Sequence, residues 1–374
     1  MTRTPPPAAR HRRKLASVAA VLTLAYFAAW PVPVAPVAWQ APEAPGYAGP
    51  HRPNQRLANL RHIDLGGDSG PEHVALGPDG RLYAAVASGR ILRFAPDGSD
   101  REVFADTGGR VLGFAFDAGG QLIAADAYRG LLAISPAGET RVLLNVFEGQ
   151  PIRYADAVAI ARDGRIFFTD ASQRFGPAAR GGTFEASVLD ILEQSATGRV
   201  FEYDPSRRTV RLVAQGLSFA NGLVLTADER ALLVVETGRY RVWRIDAAAN
   251  AVDVGQPSPQ ARVLLDNLPG YPDNLVHGLD GRIWLGFTKP RSAAVDAMAP
   301  HPFLRQLTLR LPRALWPVPP AYGHVIAFDE SGAILADLQD PSGAYPETTA
   351  VTETPARRYV QSLHAPTLGW LPAN

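Results

Sequence analysis

Four oxygen-bearing side chains in this 374-residue chain stand at one repeated spacing. Glu72, Asp156, Asn221 and Asp273 each lie seven positions before an aspartate that heads a turn, namely Asp79, Asp163, Asp228 and Asp280. Three carboxylates and an amide are hard ligands of the kind that hold Ca²⁺ or another hard divalent cation. Asn274, backbone carbonyls and water are available to fill the roughly six to eight positions that Ca²⁺ takes. Without a cation, carboxylates crowded together would repel and raise one another's pKa. Two plainer readings stand beside this one: a polar pocket without metal, and turn residues that merely bend and cap the backbone. His73 and His277 adjoin the set, although an isolated histidine in such a strand is often structural. Tyr154, Phe219 and Tyr271 each precede a candidate ligand by two residues and suit the apolar wall of a binding channel, which packing alone explains equally well.

The elements that would position these residues are legible as a repeat. From residue 59 onward a turn built on Asp-Gly or an equivalent is followed by a short apolar strand, a polar break and a second strand. The strands RLYAAV (81–86), QLIAAD (121–126), RIFFTD (165–170), ALLVVE (231–236), RIWLGF (282–287) and RRYVQS (357–362) are too short for helices and rich in branched and aromatic residues. Six units of about 55 residues match the blades of an all-β, six-bladed β-propeller. The Gly, Pro and Asp content between strands argues against a parallel α/β fold. The strand near 59–66 is expected to complete the last sheet and close the ring. In a ring, equivalent positions face one axis, so four ligands up to 201 residues apart should converge. Two insertions, 184–194 and 298–320, have helical spacing in part and are expected to lie over one end as lids.

Composition narrows the function classes. A formal net charge of +1 gives no reason to propose nucleic acid as a partner. The chain has no cysteine, hence no thiol nucleophile or thiolate metal site, and this fits an oxidising compartment. Only Lys14 and Lys289 are lysines, which makes Schiff-base chemistry improbable. At the N-terminus a basic tail (1–14) precedes an apolar segment (15–39), read as a membrane helix left uncleaved, with a cleaved signal peptide as the rival. Residues 40–58 then form a linker, 59–374 the propeller, and the propeller is expected outside the cytoplasm, in a bacterial periplasm.

The stretches DAVAIARDGRIFFTDASQRF (156–175) and GRVFEYDPS through VWRI (198–245) closely resemble the strictosidine synthase-like family, as do 109–138 and PHPFLRQLTLRLP (300–312). Animal members of that family include an adipocyte plasma-membrane-associated protein with an N-terminal anchor. The resemblance extends to gluconolactonases, regucalcin-like lactonases and paraoxonases, and implies a divalent cation in the channel held by Glu72, Asp156, Asn221 and Asp273, with Asn274 beside them. It further implies a cation-dependent hydrolase of lactones or esters, in which Asp273 orients or deprotonates water or attacks directly. By position in the sequence His277 is the residue to assist it, with His73, Tyr154, Phe219 and Tyr271 around the substrate. One departure is Asp156, where most relatives carry Asn. Another bears on the metal-free lyase reaction of the plant enzyme: its last-blade glutamate falls on Thr349, with Glu347 two residues out of register. A propeller that binds a ligand or partner without chemistry is the alternative of another class.

Overall fold

Each anticipated turn joins the first two strands of an antiparallel sheet, as at Asp79-Gly80 between His73–Leu76 and Leu82–Ala85. Gly80 there has φ +75°, a backbone region that glycine enters without a Cβ clash. The computed structural model describes residues 7–373, so the first six residues of the expected basic tail lie outside the described residues. Six such sheets are arranged as blades. Blades 1 and 2 begin at His73 and Val111, blade 3 at Ala155, blade 4 at Ala220, blade 5 at Gly270 and blade 6 at Thr348. Blade 3 gains a fifth strand, Val252–Asp253, which pairs parallel to Thr209–Leu217. The ring closes as anticipated: Arg61–Asp64 pairs with Thr367–Pro372, Arg61 opposite Trp370 and Asp64 opposite Thr367.

What holds the ring together is apolar packing between neighbouring blades. Phe168 and Phe201 of blade 3 pack on Ile123 and Leu131 of blade 2. Leu233 and Val242 of blade 4 meet Leu285, Phe287 and Phe328 of blade 5. Tyr359 and Leu368 of blade 6 close on Val74 and Phe94 of blade 1. Each strand offers one face to each neighbouring blade, which is why the middle strands are buried on both sides and read as continuous apolar runs.

Both insertions are helical and lie over the end of the channel where the inner strands begin. Helix α2 spans Thr183–Glu193, α3 Ala293–Met298 and α4 Pro302–Arg310. Arg305, 1% exposed, fastens them: its guanidinium donates to the carbonyls of Leu192 and Ala299, at 2.8 and 3.0 Å, and to that of Val37.

The N-terminal segment differs from expectation. Helix α1 covers Pro7–Ala29, yet none of the described helices is long and apolar enough to cross a membrane, so a membrane-spanning helix is not supported. Two physical reasons account for this. The apolar part, 15–29, rises only about 22 Å against roughly 30 Å of hydrocarbon, and six of its residues are alanines. The proline-rich remainder of that segment, 30–39, is instead committed to the propeller: Val34 is buried, Val37 N donates to Glu193 O at 2.8 Å, and Trp39 N donates to Ala299 O at 3.2 Å. Residues 40–58 are likewise no free linker. Asn267 and Arg291 hold the carbonyls of Glu43 and Pro42, and Leu57 is buried against blades 5 and 6.

Candidate metal centre and binding cavity

The inner strand of a blade carries its chemistry at its first residues, and the reason is a repeated irregularity. Register shifts fall between Ala155 and Val158, Ala220 and Leu223, and Pro272 and Leu275. Those bulges contain Asp156, Asn221, and Asp273 with Asn274. A bulge leaves a residue unpaired and re-aims its side chain, here along the channel instead of into the blade interface. The same shift occurs in blades 2 and 6, between Val111 and Gly113 and between Thr348 and Val351. The equivalent residues there are Leu112 and Thr349, so the ring of six is Glu72, Leu112, Asp156, Asn221, Asp273 and Thr349. The inner strands approach so closely that a Cβ on Gly222 would stand 2.4 Å from Leu275 N and 2.5 Å from Asp273 O.

Glu72, Asp156, Asn221 and Asp273 all line one cavity of about 170 Å³, and each is at most 5% exposed. Burial pushes the carboxyls of Asp156 and Asp273 well above the usual carboxylate range, and the negative charge of Glu72 adds to both shifts. Glu72 is raised by burial too, but less freely, because Arg110 Nη2 donates to its Oε2 at 2.8 Å. Asn221 is oriented by its neighbours. Thr237 gives its hydroxyl proton to Pro272 O at 2.7 Å, so towards Asn221 it presents a lone pair and accepts from Nδ2 at 3.2 Å. The amide oxygen Oδ1 is thereby turned the other way, buried and without a partner among the described residues.

This donor set fits a divalent cation. An orphaned buried acceptor is costly, and buried carboxylates that repel one another are costlier; a cation would relieve both. Three carboxylates less the charge of Arg110 leave about two negative charges, and all donors are oxygen, as Ca²⁺ requires. Asn274 contributes differently. Its Nδ2 reaches Glu72 O at 3.5 Å, and Thr349 Oγ1 donates to the same carbonyl at 2.8 Å, so both brace Glu72 from behind.

The aromatic residues stand beneath the lid. Tyr154 and Phe219 meet edge to face with centroids 5.1 Å apart, and Tyr154 donates its hydroxyl to Thr183 O on α2 at 2.9 Å. Tyr240 gives its hydroxyl proton to Asp296 Oδ1 at 2.8 Å and so accepts from the Tyr271 hydroxyl at 3.2 Å. Tyr154, Phe219 and Tyr271 line the cavity, roofed by Phe184, Val188, Ile191 and Leu192 of α2 and by Trp316–Pro319. Phe219 holds φ +61°, a left-handed conformation uncommon for an aromatic residue and kept only where surroundings enforce it.

Two candidate residues are not brought to the cavity. His73 follows Glu72, and because side chains alternate along a strand it turns into the interface of blades 1 and 2, edge to face with Phe114 at 4.8 Å. Burial lowers its pKa to about 4, so it is neutral there. His277 stands four residues beyond Asp273, about 13 Å along the strand, at the opposite end of the blade. It is exposed, with Nε2 2.9 Å from Leu225 O. Several lining residues were not among those assigned to the site from sequence, although Glu347 and Lys289 had been noted. Arg110 stands two residues before Leu112, the offset that Tyr154, Phe219 and Tyr271 keep from their own ring residues. Lys289, Glu347 and His364 form an ion-paired group at the rim, Lys289 Nζ 3.0 Å from Glu347 Oε1 and His364 Nδ1 against Oε2. Glu347 holds φ +55° and matches Phe219 in position, two residues before the bulge; that offset was a usable signal.

Comparison with known proteins shows the family of the chain. Residues 49–94 match the family described as strictosidine synthase-like, N-terminal, and residues 156–249 match strictosidine synthase. Strictosidine synthase-like protein 10 of Arabidopsis thaliana is 32% identical over 82% of this chain and 86% of its own length. This chain belongs to the strictosidine synthase-like family. Adipocyte plasma membrane-associated protein of Salmo salar is another relative, 29% identical over 83% of this chain and 77% of its own. Among solved structures, the strictosidine synthase-like propeller is similar to a gluconolactonase from Xanthomonas campestris, with TM-score 0.60, 20% identity and coverage of 90% of this chain and 99% of that one. It is also similar to a calcium-binding protein, regucalcin, from Agrobacterium tumefaciens, with TM-score 0.56, 14% identity and coverage of 83% and 93%. At these identities the structural likeness establishes the propeller fold.

Proposed function

We propose that this protein is a divalent-cation-dependent hydrolase of lactones or esters. The observation that carries the reading is the partnerless oxygen of Asn221 among the buried carboxylates of Glu72, Asp156 and Asp273, at the floor of a cavity with an apolar roof. A divalent cation bound there supplies Lewis-acid polarisation of a substrate carbonyl. The residues of the chain do the rest. Tyr154, Phe219 and the α2 side chains exclude water and hold the apolar part of the substrate. Asp273, with its proton affinity raised by burial and neighbouring charge, takes the proton of the attacking water. Arg110 keeps Nη1 without a partner among the described residues, a donor available to a developing carboxylate.

One observation favours a second reading, a metal-free lyase joining an amine to an aldehyde. Glu347 is out of register with the family's last-blade glutamate, yet its carboxylate reaches the same cavity. A single set of assays separates the two. With calcium present, wild-type protein should hydrolyse aryl esters or lactones, EGTA should abolish the activity, and Asp273→Asn should lower kcat at least about 100-fold. Folded, calcium-loaded but inactive protein would count against the hydrolase. Amine-aldehyde condensation lost in Glu347→Gln and insensitive to EGTA would establish the lyase.

A further inference from the structure

A second cluster of ligand atoms lies outside the channel, where the N-terminal strap crosses blade 5. His51 ends the short turn Gly49–His51 of the strap. His324 lies on the third strand of the blade, Gly323–Phe328, and Asp337 on the fourth, Ile334–Asp340. His51 Nδ1 is 2.8 Å from Asp337 Oδ2, across 286 positions of sequence, and His324 Nε2 is 3.0 Å from the same oxygen. All three ligand atoms lie within 4.8 Å of one another.

We propose that His51, His324 and Asp337 form a zinc-class metal site that fastens the strap to the propeller. Two imidazole nitrogens and a carboxylate oxygen are the donors that Zn²⁺ and its first-row neighbours take, unlike the all-oxygen set in the channel. Bonds of about 2.0–2.1 Å at tetrahedral angles place ligand atoms about 3.3 Å apart, so the two nitrogen–oxygen separations need open by only a few tenths of an ångström. The carboxylate is already held for the purpose. Its other oxygen, Oδ1, accepts from Asn54 Nδ2 at 3.1 Å and from Gln339 Nε2, which leaves Oδ2 to the two histidines. Gln339 Nε2 also lies 3.1 Å from the carbonyl of His51, tying the strap at the ligand itself.

The surroundings suit a closed structural site. His324 is 1% and Asp337 6% exposed, so with neutral imidazoles the cluster buries one uncompensated negative charge. A bound dication would reverse that imbalance. Tyr47 and Tyr322 wall the site, Tyr47 with its ring centroid 5.4 Å from that of His324 and its hydroxyl shielded without a partner among the described residues. That hydroxyl is a candidate to complete the coordination or to hold a metal-bound water. His51 keeps a partly exposed edge, through which an ion can enter.

The test uses the full chain stripped with EDTA and then titrated with Zn²⁺ in excess Ca²⁺, so that the channel is saturated. Wild-type protein and Asp273→Asn should bind zinc equally and gain several degrees in Tm. His51→Asn places an amide where Nδ1 stood, keeping a donor to Asp337 while removing the ligand. It should weaken zinc binding at least about 100-fold and lose the Tm gain. Cobalt bound to wild-type protein supplies a reading independent of any variant, with the intense visible bands of tetrahedral coordination. No zinc retained by wild-type protein, equal binding by His51→Asn, or the weak spectrum of octahedral cobalt would each overturn the proposal.

Discussion

Asp156 is the residue on which the electrostatics of the channel turn. Its carboxyl is fully buried and faces the charges of Glu72 and of Asp170. Asp170 is itself committed, accepting from Arg199 Nη2 at 2.6 Å and from Tyr154 N at 2.8 Å, and so offers no relief. Asp156→Asn removes one of three carboxylates that must be either protonated or neutralised by a cation. The expected result is a metal-free protein with a higher Tm and a calcium affinity lower by about 10-fold or more, measured by thermal unfolding with and without Ca²⁺. A variant whose metal-free Tm is unchanged would mean that the carboxylates do not strain the empty site. At this scale the sequence was informative where spacing repeats and uninformative where it does not. Register alone brought Glu72, Asp156, Asn221 and Asp273 together. His73 and His277 were near in sequence only, since strand alternation turns one away and the rise along the strand carries off the other.

At the scale of elements, bulges and lids decide what the cavity is. The bulges could not be read from the sequence, because an unpaired residue has no distinctive type: Leu112, Asp156, Asn221, Asp273 and Thr349 occupy equivalent positions. The two insertions were legible by their helical spacing, and α2 adds a pH dependence. Its Asp190 is buried, and burial, together with the carboxylates of Glu193, Glu236 and Asp170, raises its pKa to about 7 against a partial pull-back from Ser172. In the unfolded chain this aspartate ionises near pH 4, whereas in the folded chain it keeps its proton. The unfolded state therefore releases the proton first as pH rises. Stability is lost through the window from about 4 to about 7 and is level above it, by an amount up to about 4 kcal/mol. Asp190→Asn removes this loss. Its Tm should exceed that of wild type at about pH 8 and approach it at about pH 4 in paired melting curves; equal gains at both values would show that Asp190 is not the group responsible.

For the whole molecule, the repeat of turns and short strands was enough to give six blades and the closing strand, because blade-to-blade burial imposes the same alternation six times. The N-terminal segment was legible only in part, for a reason of packing. An apolar, proline-rich stretch reads the same whether it meets lipid or protein, and here Val34, Val37 and Trp39 lie against the lid helices. That strap, Arg305 and α2 together hold the roof over the channel, so the buried carboxylates, the cavity and the lid form one unit built from parts distant in sequence. The central claim is that equivalent positions of different blades converge to bind a cation. Calorimetric titration of the metal-stripped full chain with Ca²⁺ tests it most directly, beside Asp273→Asn. The expected result is saturable binding to wild-type protein, release of protons that strengthens binding as pH rises, and loss of binding in the variant. A folded wild-type protein that takes up no calcium or other divalent cation in the channel would contradict it.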